Sequence, residues 1–168
     1  MQKKILFSFL FFLIFTPSFC KEIRGKPIII DGDTIKIANE RIRLYGIDAP
    51  EINQECQKPF LSIGFFTFNK KYSCGEISKK ILKKFIKTQI VKCIFESRDR
   101  YNRPIAECFT NKKNINSWMV KKGYAVAYKK YSKKFIPEEA YAKENKLGLW
   151  QGPFIRPEKW RKKNKYKR

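Results

Sequence analysis

The residue types that could do chemistry in this chain are few, and their spacing is informative. Three acids stand at turns: Asp33 in Asp31-Gly32-Asp33-Thr34, and Asp48 and Glu51 in Asp48-Ala49-Pro50-Glu51. The chain has only 15 Asp and Glu against 38 Lys and Arg, and no histidine. If the strands bring these turns together, the carboxylates share a small volume, and their repulsion raises their pKa values unless a cation sits among them. Oxygen ligands favour a hard dication such as calcium, which accepts about 6–8 oxygens in loose geometry. The missing histidine excludes a His-ligated zinc site, a Ser-His-Asp or Cys-His nucleophile and an imidazole base. Two arginines complete the set. Arg43 shares a strand face with Arg41, two residues away, and Arg103 follows the turn Asp99-Arg100-Tyr101-Asn102. A guanidinium grips two oxygens of an anion and stays charged at any working pH. Two guanidiniums with a metal would form an electrostatic clamp for a phosphoryl group, and Glu51, the longer acid, would be free to take a proton from water.

Each part alone has a plainer reading. The first motif is often a solvated hairpin turn, the second a loop with a proline stop. Arg43 alone is a surface strand residue, and Tyr101 alone a turn aromatic at a core edge. Their conjunction in this order carries the argument.

The elements that must position them alternate. Pro27–Asp31, Thr34–Ala38 and Arg41–Ile47 read as a three-stranded meander with a tight turn at Asn39-Glu40. Two further strands are expected near Ile90–Phe95 and Ile105–Phe109. The apolar face formed by Ile77, Ile81, Leu82, Phe85 and Ile86 predicts a helix over 75–87. A short helix over 115–122, closed by Gly123, and another over about 137–146 complete the pattern. Glu51 to Cys74 reads as a long irregular loop, aromatic in its middle. Five strands with about three helices imply a mixed α+β, mainly β chain: a small OB-like Greek-key barrel with helices packed on it.

Residues 1–20 read as a signal peptide. Lys3 and Lys4 precede the apolar run Ile5–Phe15, and Ser18 and Cys20 stand where small residues precede cleavage. The run falls short of the roughly 20 apolar residues of a membrane span, so no span is expected in the mature chain. An uncleaved anchor is the alternative. Beyond Cys20 remain Cys56, Cys74, Cys93 and Cys108, which suggests two disulfides in an exported protein. Three pairings are possible. The local one, Cys56–Cys74 with Cys93–Cys108, is expected, because Cys93 and Cys108 fall on two strand-like runs joined by a turn. Each such loop contributes about 3 kcal/mol in the chain-entropy model. Residues 21–155 would form one domain. Residues 156–168 carry eight basic residues and one acid, Glu158, and read as a flexible cationic tail. The formal charge of +23 points to a polyanionic partner, either nucleic acid or an acidic envelope surface, although part of the lysine excess fits a chain rich in Ile, Phe and Asn.

Three ordered blocks carry a resemblance: Asp31-Gly32-Asp33-Thr34, Ile42 through Glu51, and Asp99-Arg100-Tyr101-Asn102-Arg103. Together with Leu147-Gly148-Leu149-Trp150, the chain from Pro27 to Trp150 resembles the staphylococcal nuclease family. The resemblance implies the five-stranded OB-like barrel and calcium-dependent hydrolysis of phosphodiester bonds in DNA and RNA to 3′-phosphate products, by a monomer without a stable protein partner. By motif position it implies that Asp33, Asp48 and the backbone carbonyl of Ala49 bind Ca²⁺. Glu51 would be the general base, and Arg43 and Arg103 would hold the phosphate. Arg100 and Tyr101 would approach the nucleotide, and Tyr128 and Tyr131 are the nearest candidates to flank the base. Asn102 replaces a usual glycine but tolerates a left-handed backbone. Ala49 replaces a threonine, which leaves the carbonyl available. The Cys-bracketed loop is longer than the namesake's. After cleavage of the signal peptide, a secreted or periplasmic location is expected. The competing reading is a catalytically weak nucleic-acid-binding module on the same fold, against which the retained acids and arginines count.

Overall fold

The computed structural model describes residues 20–165. The expected leader lies outside them except for Cys20, as do the last three residues. In chain order the elements are β1 (Lys21–Gly25), β2 (Ile28–Ile29), β3 (Thr34–Ile37), β4 (Glu40–Leu44), β5 (Ile47–Asp48), β6 (Glu55–Ile63), β7 (Phe66–Ser73), α1 (Cys74–Ile86), β8 (Val91–Arg98), β9 (Pro104–Thr110), β10 (Lys113–Asn114), α2 (Ile115–Lys121), β11 (Val126–Ala127) and α3 (Ile136–Glu144). A 3₁₀ turn (Gly148–Gln151) and α4 (Pro157–Lys165) follow.

One curled sheet runs β1-β8-β9-β4-β3-β2, with β10 added to β9. The meander sequence alone pairs β2, β3 and β4 antiparallel. The step that curls the sheet is the parallel pairing of β4 with β9, which sets Arg43 opposite Ile105. That pairing joins residues about sixty positions apart, so no local alternation announces it. The result is the OB-like half-barrel, mixed α+β and mainly strands, with four helices among the described residues rather than about three.

Its interior follows the strand period of two. Ile35 and Ile37 of β3, Ile42 and Leu44 of β4, and Val91, Cys93 and Phe95 of β8 are buried. Helix α1 covers the barrel with Ser78, Leu82 and Ile86, spaced four apart. Its Phe85 stacks on Trp118 of α2 at 3.8 Å between centroids, and Ser78 donates to the Tyr124 carbonyl at 2.6 Å. Two disulfides, Cys56–Cys74 and Cys93–Cys108, close as the local pairing requires. The second joins residues directly opposite across β8 and β9.

Two segments differ from the sequence expectation. Glu51 to Cys74 is largely an antiparallel hairpin, β6–β7, turned at Gly64-Phe65. Gly64 supplies the positive φ of 56° that a two-residue hairpin turn needs. The β-forming residues Phe60, Ile63, Phe66, Thr67, Phe68 and Tyr72 explain the strands. Their irregular alternation comes from a bulge between Pro59 and Leu61. The second difference is the C-terminus. Residues 157–165 are helix α4, not a free tail. Pro157 at the helix start and Glu158 in the first turn favour initiation, and lysines in the last turn suit the helix dipole. Among the described residues no helix is long and apolar enough to cross a membrane.

Candidate active site

The register of β3 and β4 builds the first half of the site. Thr34 lies opposite Arg43, and the Leu44 N–H donates to the Asp33 carbonyl at 2.8 Å. This places the Arg43 guanidinium beside two acids: Nη1 reaches Asp33 Oδ1 at 2.5 Å and Nη2 reaches Asp48 Oδ1 at 3.1 Å. The second oxygen of Asp33 accepts from the Ala49 N–H at 2.6 Å. Asp48 is fixed by β5, whose backbone pairs with β11 so that Asp48 lies opposite Val126. Asp33 is 3% and Asp48 0% exposed.

Burial raises the Asp48 pKa, as does the charge of Asp33, against the opposing pull of Arg161 and Arg43. Asp31 is pushed up to about 6, first by burial and then by Asp33. Crowded acids thus behave as the sequence argument requires: negative charge is held close together and needs cations to offset it.

One of those cations was not expected. Arg161 of α4 donates from Nη1 to Asp48 Oδ1 at 2.9 Å and to Glu51 Oε1 at 2.8 Å, and from Nη2 to Asp48 Oδ2 at 3.1 Å. Burial pulls its pKa down, but its hydrogen bonds to Asp48, that acid's charge and the bond to Glu51 outweigh this and hold it above its ordinary value. Glu51 therefore meets Asp48 through the Arg161 guanidinium, and Asp48 meets Asp33 through that of Arg43. Among the described residues no three acids or cysteines cluster closely enough to hold a metal directly. Arg43 and Arg161 stand between the carboxylates.

Helix α4 is brought there by a chain of polar contacts. Glu139 of α3 is buried, and its carboxylate meets Arg156 at 2.9 Å and Lys129 at 2.8 Å. Burial pushes its pKa up, but hydrogen bonds from Lys129 and Arg156 bring it below the usual value. Arg156 also donates to the Ala127 carbonyl at 2.8 Å. The buried Gln54 donates to the Ile155 carbonyl at 2.6 Å and accepts from the Glu51 N–H at 3.3 Å. Gln54 and Arg156 thus tie the loop carrying Glu51 to the segment that launches α4. No single-residue signal marked Arg161 in a run of lysines. The helix-start pattern at Pro157-Glu158 and the neighbouring Trp160 were the available hints.

Arg103 stands apart from the acids. It pairs with Asp99, Nε to Oδ2 at 2.8 Å and Nη2 to Oδ2 at 2.7 Å, and Asp99 also accepts from the Tyr101 and Arg103 N–H groups. Burial works against the Asp99 charge, but these bonds hold its pKa down. Arg103 lies two residues before Ile105, the β9 residue opposite Arg43, so the curled sheet sets it just ahead of the strand that neighbours the one carrying Arg43. Tyr101 is exposed, with the guanidiniums of Arg100 and Arg103 at 4.8 and 5.6 Å from its ring centroid. Asn102 takes the left-handed backbone at φ 62°, as its type permits. Tyr128 and Tyr131 contact edge to face at 4.8 Å. Burial, followed by the charge of Asp48, raises the Tyr128 hydroxyl pKa.

The backbone at Glu51 is tightly packed. A Cβ on Gly75, at the start of α1, would lie 1.8 Å from the Glu51 carbonyl oxygen. Gly75→Ala should therefore move the Glu51 loop or α1. A loss of about 1–3 kcal/mol is expected in chemical denaturation, with a reduction in any activity that needs Glu51. Unchanged stability would contradict the packing.

The model of the family described as Staphylococcal nuclease homologue matches residues 41–152. The chain belongs to the staphylococcal nuclease family. An uncharacterized endonuclease of Haemophilus influenzae is 30% identical over 176 residues, covering 98% of this chain and 88% of that protein. A micrococcal nuclease of Shigella flexneri is 30% identical over 163 residues, covering 86% of this chain and 83% of its own. The succinoglycan biosynthesis protein ExoI of Rhizobium meliloti is 35% identical over 132 residues, which is 77% of this chain but 65% of that protein. Asp48, Glu51, Arg43 and Arg103 lie inside the span matched by the staphylococcal nuclease family, whereas Asp33 and Arg161 lie outside it.

Proposed function

We propose that the chain is an exported, calcium-dependent nuclease that cleaves phosphodiester bonds of DNA and RNA and leaves 3′-phosphate ends. The observation that carries this reading is the half-buried Arg43 guanidinium held between the buried Asp33 and Asp48, with Glu51 reaching the same cluster from a partly exposed position. The donor set is all oxygen and mostly anionic, which fits a hard dication. Asp33, Asp48 and the Ala49 carbonyl would hold it. Bound there, calcium would supply positive charge against a phosphoryl oxygen.

The chain's own residues do the rest. Arg43 and Arg103 bind the equatorial phosphate oxygens and offset charge that grows as water adds to phosphorus. Glu51 takes the proton of that water as its oxygen bonds to phosphorus. The bond to the 5′-oxygen breaks, and this oxygen leaves, taking a proton from solvent water, to become the 5′-hydroxyl of the next nucleotide. Asp99 orients Arg103, and Arg100 and Tyr101 line the approach of the nucleotide. The +23 charge draws in the polyanion and makes binding salt-dependent. Two disulfides suit an oxidising compartment, which supports a secreted or periplasmic site of action. The chain acts as a monomer.

The test is digestion of plasmid DNA and of RNA by the purified protein, with calcium and with a chelator. Cleavage with calcium and its loss on chelation are expected. Binding without calcium-dependent cleavage at every salt concentration would instead identify a binding module on this fold.

A further inference from the structure

The hairpin β6–β7 exposes more apolar side chain than any other described part of the chain. Phe60, Leu61, Ile63, Phe66 and Phe68 are each about half exposed or more, and Phe65 at the turn is fully exposed. The register sorts them. Leu61 lies opposite Phe68 and Ile63 opposite Phe66, which puts these four on one face of the ribbon. Ser62 and Thr67 lie opposite each other on the other face, with their hydroxyls 3.3 Å apart. Phe65 caps the tip.

Charge is arranged just as unevenly. Between residues 58 and 72 there is no acid, and the charged side chains are Lys58, Lys70 and Lys71. Lys58 and Lys70 face each other directly across the ribbon. A like-charge pair in that position is unfavourable in isolation, and the two ammonium groups rest over the Tyr72 and Phe60 rings at 5.5 and 4.8 Å. By the alternation along β7, Lys70 stands on the same face as Phe68 and Phe66, nearer the barrel. The face therefore reads, from tip to base, as apolar and then cationic.

We propose that this hairpin is an interfacial membrane-docking element, with Phe65, Phe66 and Ile63 entering the acyl boundary and Lys58 and Lys70 meeting anionic phospholipid headgroups. The same division of apolar and cationic surface drives amphipathic elements to membrane interfaces. The ribbon is two-stranded, so its outer edges keep unpaired backbone groups, which limits it to the interface rather than the bilayer centre. A second copy of the chain would set the same lysines against one another on a protein of +23 charge. Single-stranded nucleic acid would use aromatic faces, yet Leu61 and Ile63 offer none. The disulfide Cys56–Cys74 clamps the base of the ribbon, so the tip is presented on a fixed stem.

The test uses the full chain and vesicles of phosphatidylcholine with a quarter phosphatidylglycerol, compared with phosphatidylcholine alone. Stronger partitioning to the anionic vesicles is expected. Phe65→Ser combined with Phe66→Ser should weaken it at least about tenfold, with the melting temperature unchanged, because neither ring packs in the core. A separate variant, Phe65→Trp, reads depth directly: its added indole should be quenched by brominated lipids. Vesicle binding without quenching of that indole would place the contact elsewhere in the chain and overturn the proposal. So would a Ser variant that binds vesicles normally but loses self-association or affinity for a single-stranded oligonucleotide.

Discussion

Glu51→Gln is expected to reduce turnover on DNA by about 10²–10⁴-fold, the usual contribution of a positioned general base, while leaving nucleic-acid affinity nearly unchanged. The substitution is isosteric. The amide oxygen can still accept from Arg161 Nη1, now 2.8 Å from Glu51 Oε1, so the loop keeps its anchor. Backbone contacts that hold the loop, such as the Gln54 N–H to the Glu51 carbonyl at 2.8 Å, are untouched. The change removes the ability to take a proton and one negative charge facing Arg161. Affinity is set by cations such as Arg43, Arg103 and the lysine-rich surface, none of which changes. Single-turnover rates and equilibrium binding to the same oligonucleotide separate the two quantities. An equal fall in both would mean that Glu51 acts in binding or in folding, and the base would have to be sought elsewhere.

The sequence carried most of the site because its parts are local. Asp33 and Arg43 are joined by a tight meander, and Asp48 and Glu51 by a four-residue turn, so alternation and turn chemistry were enough to place them near one another. Both disulfides were legible for the same reason: each closes a short loop. What could not be read is contact over long separations. The parallel β4–β9 pairing brings the turn carrying Arg103 to the strand that neighbours Arg43, and hydrophobic patterns are the same for either neighbour. The hairpin β6–β7 reads as a loop in the sequence because its apolar residues interrupt simple alternation at a bulge, and because exposed phenylalanines are not expected on a solvated strand. Arg161 was hidden by composition. In a segment of eight basic residues, one arginine bound to buried carboxylates looks like its neighbours, and only the contacts of Gln54, Arg156 and Glu139 determine which residue faces inward.

That arginine gives the second large effect. Arg161→Ala should destabilise the protein in chelator and tighten calcium binding, both by related amounts. Asp48 is fully buried and has two guanidinium partners. Removing one member of a buried pair is strongly destabilising because the remaining charge is left unmatched. Arg43 still faces Asp48, and Arg161 is itself a third exposed, so a loss of about 2–3 kcal/mol is the reasonable expectation. Both Asp48 oxygens and one Glu51 oxygen are occupied by Arg161. A dication that draws on Asp48 must displace these bonds, and the free energy they contribute is subtracted from its binding. With Arg161 gone, that cost disappears, so calcium affinity measured by titration calorimetry should rise by up to about a hundredfold. Calcium should also raise the melting temperature of Arg161→Ala more than that of the parent protein, since bound cation then replaces the lost partner. Arg161→Lys should fall between the two, because an ammonium is a single point charge and cannot bridge Asp48 and Glu51 as a planar guanidinium does. If affinity for calcium were the same with and without Arg161, the arginine and the cation would not share the Asp48 carboxylate, and α4 would be a support for the barrel rather than a competitor at its acids.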